Sequence, residues 1–133
     1  MMLELTDCDD PQEIRVLSLR GRQLRTCLQT VGECQNLSIL YMQQNQVQDL
    51  RFLASFQQLR KIDLSDNMIE SLPPAQVFAQ MRSLQFLFLH NNALQKWQDL
   101  QALTHLPQII HITLFNNPVC QIPGYRSFIV NQI

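Results

Sequence analysis

The chain has 133 residues, of which 46% are hydrophobic and 16% charged, so it can form one folded domain with a continuous core. Ten basic and eleven acidic side chains leave a formal net charge of -1, which gives no electrostatic basis for gripping a nucleic-acid backbone or an anionic membrane. The four cysteines, Cys8, Cys27, Cys34 and Cys120, form no C-x-x-C pair, so neither a zinc site nor a disulfide framework is expected.

The N-terminal residues are acidic where a signal peptide would be apolar, and no long apolar run follows, so we expect an intracellular protein. Leu3 and Leu5 alternate as in an edge strand, and Asp9-Asp10-Pro11 is typical of a turn or helix start. Residues 1–13 are therefore predicted to form a modest N-terminal cap.

Residues 14–119 are built from an internal repeat of the form L-x-x-L-x-L-x-x-N-x-L. Its copies are Ile14–Leu24, Leu37–Val47, Leu59–Ile69, Leu84–Leu94 and Ile109–Val119, at spacings of 22 to 25 residues. Alternating apolar residues in each copy predict a short strand. A period of this length indicates a solenoid, and the pattern resembles leucine-rich repeats. The predicted fold is an α/β leucine-rich repeat solenoid with a concave parallel sheet, about five repeats and a C-terminal helical cap.

An asparagine follows the strand in four copies, as Asn45, Asn67, Asn92 and Asn117. Its amide can both donate to and accept from backbone groups at the turn, so we interpret these residues as structural rather than ligand-binding. The first copy has Arg22 in this place. A terminal coil of the solenoid could satisfy its backbone with water, which would make the asparagine dispensable there.

The return half of each coil has an apolar residue at about every third position, for example Leu50, Leu53 and Phe56. This period predicts a 3₁₀ or loosely helical convex side. The spacing breaks at Pro73-Pro74, where Pro74 can begin a short helix. The period-three return and the 22-residue coil resemble the SDS22-like class of leucine-rich repeats.

Residues 120–133 are predicted to close the open end of the core. Tyr125, Phe128, Ile129 and Ile133 fall on one helical face after Gly124. The Asn-Pro followed by Tyr-Arg resembles the cap of SDS22-like domains, in which Tyr125 is structural. The P-x-L-x-x-L-D-like continuation of that cap is absent up to Ile133, so a truncated cap, and a chain that is a fragment, are expected.

Positions three, five and seven of each copy are predicted to face solvent on the concave sheet. Large apolar residues at such positions indicate a binding surface, because aromatic side chains dominate interaction hot spots. We predict partner contacts by Ile39, Tyr41, Lys61, Asp63, Phe86, Phe88, His90, His111 and Phe115. Lys61 and Asp63 could set the register of the partner through charge. Packing against another part of the same polypeptide, or mere tolerance of these residues, are the alternatives.

No pattern in the sequence predicts catalysis, a metal or a cofactor. His90 and His111 lie in neighbouring copies, but no cysteine points to that face, and no nucleophile pairs with a base. The three glycines form no phosphate loop. A basic cluster of Arg15, Arg20, Arg22 and Arg25 could hold an acidic peptide or RNA phosphates, although a solvated first coil is the favoured interpretation.

Three stretches resemble the leucine-rich repeat and IQ motif family of ciliary and centrosomal proteins. They are S-L-P-P-A-Q-V-F after Glu70, L-x-L-H-x-N at 87–92, and P-V at 118 followed by G-Y-R-S-F-I-V-N at 124–131. The resemblance implies a non-enzymatic scaffold of a cilium, flagellum or centrosome that binds a protein partner. It also implies calmodulin binding through IQ helices outside these residues, since no IQ motif is present here.

Two further functions share the repeat and the cap. SDS22-like proteins include regulatory subunits that dock on a phosphatase, and nuclear adaptors of RNA processing or chromatin have the same Tyr-Arg cap. The sequence leaves both open as alternatives to the ciliary scaffold.

Overall fold

The computed structural model describes residues 13–25 and 36–132, and it describes the side chains of these residues up to Phe128. The predicted N-terminal cap lies, apart from Glu13, outside the described residues. Three of the cysteines, Cys8, Cys27 and Cys34, also lie outside them, as do the side chains of Ile129 and Ile133.

Five three-residue strands form one parallel sheet in the order of the sequence. They are β1 (Val16–Ser18), β2 (Ile39–Tyr41), β3 (Lys61–Asp63), β4 (Phe86–Phe88) and β5 (His111–Thr113). Equivalent positions of the repeat pair with each other, so that Ile39 lies between Val16 and Lys61. Each strand therefore advances the chain by one coil, and the predicted leucine-rich repeat solenoid is confirmed.

The core lies behind the sheet, because the middle residue of each strand points away from solvent. Leu17, Leu40, Ile62 and Leu87 are at most 1% exposed. In the edge strand β5, Ile112 is half-buried. The return segments contain a 3₁₀ helix (Arg51–Ser55), α1 (Ala75–Gln80) and α2 (Trp97–Leu103). The 3₁₀ and helical character expected for this side is thus present, and its apolar residues complete the core.

The four repeat asparagines join each coil to the one before it. Each Nδ2 donates at 2.9–3.0 Å to one carbonyl of its own coil and one of the preceding coil, and at 3.1–3.5 Å to a second carbonyl of its own coil. Each Oδ1 accepts a backbone N–H of the preceding coil, for example that of Ile69 by Asn92 at 3.1 Å. The side chains thereby satisfy donors and acceptors that the turn leaves without backbone partners.

The first coil corrects one expectation from the sequence. Arg22 replaces the asparagine there, and we expected water to satisfy the backbone. The Oδ1 of Asn45 instead accepts the N–H groups of both Arg22 and Leu24 at 3.0 Å. Each asparagine bonds the coil before its own as well as its own, so Asn45 of the second coil supplies these partners to the first.

The residue before each asparagine has a left-handed backbone, with φ between 56° and 61° at Gln44, Asp66, Asn91 and Asn116. Asparagine and aspartate tolerate this conformation better than most residues. The exposed Nδ2 of Asn91 donates to Asp66 at 2.8 Å, and that of Asn116 donates to Asn91 at 2.8 Å. This outer ladder was not predicted, and it runs alongside the buried one.

The 3₁₀ helix Pro118–Gln121 and α3 (Tyr125–Gln132) follow the last strand. Phe128 packs against Trp97 with ring centroids 4.8 Å apart, and Tyr125 and Phe128 are partly buried against the core. Burial, together with the neighbouring Cys120 thiol, raises the pKa of Tyr125, so its hydroxyl stays protonated. The Cys120 thiol donates to the Leu114 carbonyl at 2.9 Å.

Asp99 joins α2 to the loop of the preceding coil. Its Oδ1 accepts the Leu72 N–H at 3.0 Å, the last backbone donor before Pro73-Pro74. The residue is only 7% exposed, and Oδ2 has no hydrogen-bond partner among the described residues. Burial raises the pKa of Asp99, although the Leu72 N–H and the nearby Lys96 act in the opposite direction.

Replacing Asn92 should show how much one asparagine bridge contributes. Asn92→Ala removes the acceptor of Ile69 and the donor to three carbonyls, and leaving such groups unsatisfied should lower the free energy of unfolding by about 1–3 kcal/mol. Urea unfolding followed by circular dichroism measures this. The exposed Gln95, three residues on, is the control, and Gln95→Ala should change the value by less than about 0.5 kcal/mol. Equal effects of the two substitutions would contradict the structural role.

The raised pKa of Asp99 predicts a pH-dependent stability. A carboxyl whose folded-state pKa exceeds its unfolded value of 3.8 gives a contribution that is complete below that value and is lost as pH rises through the folded-state pKa. Asp99→Asn keeps an acceptor for Leu72 but cannot titrate. The difference in the free energy of unfolding, wild type minus Asp99→Asn, should therefore grow as pH falls from about 7 to about 4. A difference that is constant or shrinks would refute the raised pKa.

Candidate functional site

The face of the sheet opposite the core, which we call the open face, carries the residues that flank each buried strand centre. The register aligns position three of every copy in one row and position five in a second. Position seven lies two residues beyond the end of each strand. The open face is the surface that the sequence predicts to be concave and partner-binding.

All nine predicted contact residues lie on this face or just beyond its strands. Ile39, Tyr41, Lys61, Asp63, Phe86, Phe88 and His90 are half-buried, whereas His111 and Phe115 are exposed. The exposed fraction of Phe115 is 53%, and that of Val16, at the other end of the sheet, is 52%. Large apolar side chains thus remain accessible at both ends of the open face.

Four rings form a continuous layer over β4 and β5, which we call the ring cluster: Phe88, His90, His111 and Phe115. His90 stacks on Phe115 with centroids 4.4 Å apart and planes 11° apart. Phe88 contacts His111 at 5.7 Å and His90 at 6.5 Å. Such ring pairs each contribute on the order of 0.5–1.5 kcal/mol beyond their area, so the layer is held in place before any partner arrives.

A hydrogen bond fixes one ring of the cluster from a neighbouring strand. His90 Nδ1 lies 2.7 Å from Thr113 Oγ1, with the donor set by the histidine tautomer. We did not include Thr113 among the predicted contacts, because a small polar side chain at position five signals no binding. Its position beside His90 follows from the register and could have been found from it.

Lys61 connects the ring cluster to Tyr41. Its Nζ lies 5.2 Å from the Tyr41 ring centroid and 5.5 Å from that of Phe88. These distances are within the range of cation–π interactions, which contribute roughly 0.5–2 kcal/mol according to exposure. The ammonium group is therefore held between two rings at the centre of the open face.

Asp63 follows Lys61 by two residues on the same face. Its Oδ1 accepts the Ser65 N–H at 3.0 Å and the Ser65 hydroxyl at 2.6 Å. Ser65 is only 3% exposed, although position seven is predicted to face solvent. The serine fixes the orientation of the carboxylate, so Asp63 is a positioned negative charge.

The basic cluster lies on the first coil, away from the rings. The Nε of Arg20 donates to Gln44 at 3.1 Å and that of Arg25 to Gln46 at 3.0 Å. Both partners are neutral, so the arginines keep their charge toward solvent. Arg15 and Arg22 are also exposed.

The open face carries aromatic, cationic and anionic side chains but no metal-binding cluster among the described residues. Within residues 13–25 and 36–132, no group of three or more His, Cys, Asp or Glu side chains could hold a metal ion. In the same ranges, no helix is long and apolar enough to cross a membrane. The aromatic, cationic and anionic side chains can bury, attract and orient a partner.

Known proteins resemble both the sequence and the fold. A leucine-rich repeat family model matches residues 10–133. The human leucine-rich repeat and IQ domain-containing protein 3 is 32% identical over 117 residues, which are 88% of this chain and 19% of that protein. The leucine-rich repeat-containing protein 51 of Bos taurus is 31% identical over 99 residues, which are 68% of this chain and 50% of that protein. The chain spans about one fifth to one half of these relatives.

Solved structures share the fold at lower identity. A chain of the Drosophila melanogaster SNF/U2A' complex superposes with a TM-score of 0.77 at 24% identity, over 88% of this chain and 67% of that one. An internalin of Listeria monocytogenes superposes with a TM-score of 0.61 at 20% identity, over 77% of this chain and 35% of that one. The chain belongs to the leucine-rich repeat family, whose domains generally mediate protein–protein interaction.

Proposed function

We propose that this domain is a protein-interaction scaffold that binds a partner protein on its open, concave face and acts in a cilium, flagellum or centrosome. The observation that carries the binding proposal is the ring cluster, which keeps Phe115 53% exposed while it fixes the neighbouring rings. The ciliary or centrosomal setting rests on the sequence motifs that resemble the leucine-rich repeat and IQ motif family, and it is part of the proposal.

A partner would bind side chains whose conformations are already restricted, which lowers the entropy cost of binding. Stacking holds His90 and Phe115, and the Thr113 hydroxyl fixes the histidine ring. Binding to rigid rings loses less side-chain entropy than binding to free ones, which cost about 0.5–1.5 kcal/mol for each immobilised side chain. The ring cluster therefore has the properties of an interaction hot spot.

One partner that the family resemblance implies would bind outside these residues. Calmodulin binding is implied only by the family resemblance and would belong to IQ segments outside this chain. The proposal assigns no cofactor and no catalytic residue to the open face, and it places no membrane contact there.

Co-sedimentation with demembranated axonemes tests the proposal. The wild-type chain should bind in a saturable way, and Phe88→Ala should weaken binding at least about tenfold, because aromatic hot-spot truncations cost 2 kcal/mol or more. The matched control is Met68→Ala. Met68 is another large hydrophobic residue, 49% exposed and outside the strands, so its replacement should leave binding unchanged.

Three results would contradict the proposal. The first is that wild type does not sediment with axonemes. The second is that Phe88→Ala and Met68→Ala bind equally well, with circular dichroism showing that both are folded. The third is binding to RNA that weakens steeply with salt and is lost with the Arg15–Arg25 cluster, since that dependence marks phosphate contacts.

A further inference from the structure

Lys61 lies at the centre of the open face, and its positive charge has no ion-pair partner among the described residues. Its side chain is half-buried, and its Nζ lies between the rings of Tyr41 and Phe88. Among the described residues, no carboxylate lies within ion-pair distance of this ammonium group, and Nζ donates no hydrogen bond. An ion pair between Asp49 and Arg51 lies outside the strands.

An ammonium group in this setting favours an anionic acceptor. An ammonium group has three donors, and the flanking rings displace part of its water. A charge-assisted hydrogen bond is stronger where water is partly excluded. The apolar neighbours Ile39 and Phe86 lie on either side of Lys61 in the same row, so an acceptor that arrives with apolar groups would cover them together.

Phosphate is the less suitable anion for this position. Phosphorylated and acidic motifs are generally read by clusters of arginines, whose planar groups bind two oxygens at once. Lys61 is a single cation, and Asp63 lies two residues away with its carboxylate held by Ser65. A second negative charge on the ligand would be repelled there, whereas a singly charged carboxylate needs one ammonium group.

We propose that Lys61 is the recognition site for a carboxylate side chain of the partner, an Asp or Glu flanked by aliphatic or aromatic residues that cover Phe86, Phe88 and Phe115. This inference rests on the proposed function and narrows it to a class of partner segment. Asp63 makes the site directional, because its carboxylate would repel a second acidic residue of the partner at the next position along the strand direction.

Selection from a phage-displayed random dodecapeptide library, with the full chain immobilised, tests this assignment. Peptides selected by wild type should show Asp or Glu at one position beside aliphatic or aromatic residues. Lys61→Met should lose the acidic preference and keep the apolar one, whereas Lys61→Arg should retain both. Asp63→Asn keeps an acceptor for Ser65 and should retain or strengthen the acidic preference.

One selected peptide then gives a quantitative check. Lys61→Met should weaken its affinity at least about tenfold, and changing the peptide's acidic residue to its amide should weaken wild-type binding by a similar factor. The amide change should have no further effect on Lys61→Met, because the two groups act on each other. Phe88→Ala separates a failure of this inference from a failure of the proposed function, because it tests the binding face and leaves Lys61 in place.

Each other outcome overturns the assignment. Peptides that require Phe88 but show no acidic position refute the carboxylate and leave the binding face standing. Peptides that bind wild type and Phe88→Ala with equal affinity refute the binding face as well. A phosphoserine peptide that binds tenfold more tightly than its glutamate form reassigns the site to phosphate, and a dimer in sedimentation velocity that Lys61→Glu dissolves reassigns it to a second copy.

Discussion

The hydrogen bonds of the repeat asparagines are the constraint on which the rest of the structure depends. A coil turns sharply after each three-residue strand, and a turn at this depth would bury backbone groups without partners. Asn67, for example, donates to carbonyls of two coils at 3.0 Å and accepts an N–H of the preceding coil at 3.0 Å. Together with a further bond to the Ser65 carbonyl at 3.1 Å, four bonds from one side chain close one turn and fix its distance from the preceding coil.

The direction of these bonds explains why the coils differ in sequence. Because every asparagine also bonds the preceding coil, a coil depends on the asparagine of its successor as well as on its own residue at that position. Arg22 is tolerated for this reason, since Asn45 accepts its N–H. The outer ladder follows the same direction, as Asn91 donates back to Asp66 and Asn116 to Asn91. The buried line thus joins each coil from the second on to the one before it, and the outer line joins the last three coils.

The fixed spacing of the coils is also what allowed the fold to be predicted from sequence. The repeat places equivalent residues in register, so the strands and the composition of the open face could be read before the structure. The ring contacts could not, because the stacking of His90 on Phe115 depends on side-chain torsions that a period does not specify. The hydrogen bond between Asp99 and Leu72 could not be predicted for another reason. The two residues lie 27 positions apart, across a turn whose path the two prolines determine.

The register of the strands determines which side chains are neighbours on the open face. Tyr41 and Phe88 are the two neighbours of Asp63 across the sheet, and Lys61 extends along the strand until its ammonium group lies between their rings. A lysine on a solvated helix would lose considerable side-chain entropy on binding, up to about 2 kcal/mol. Here the rings have already restricted it. A partner that supplies the missing counter-charge would therefore gain an electrostatic contact at a smaller ordering cost, and the same rings would supply the apolar area beside it.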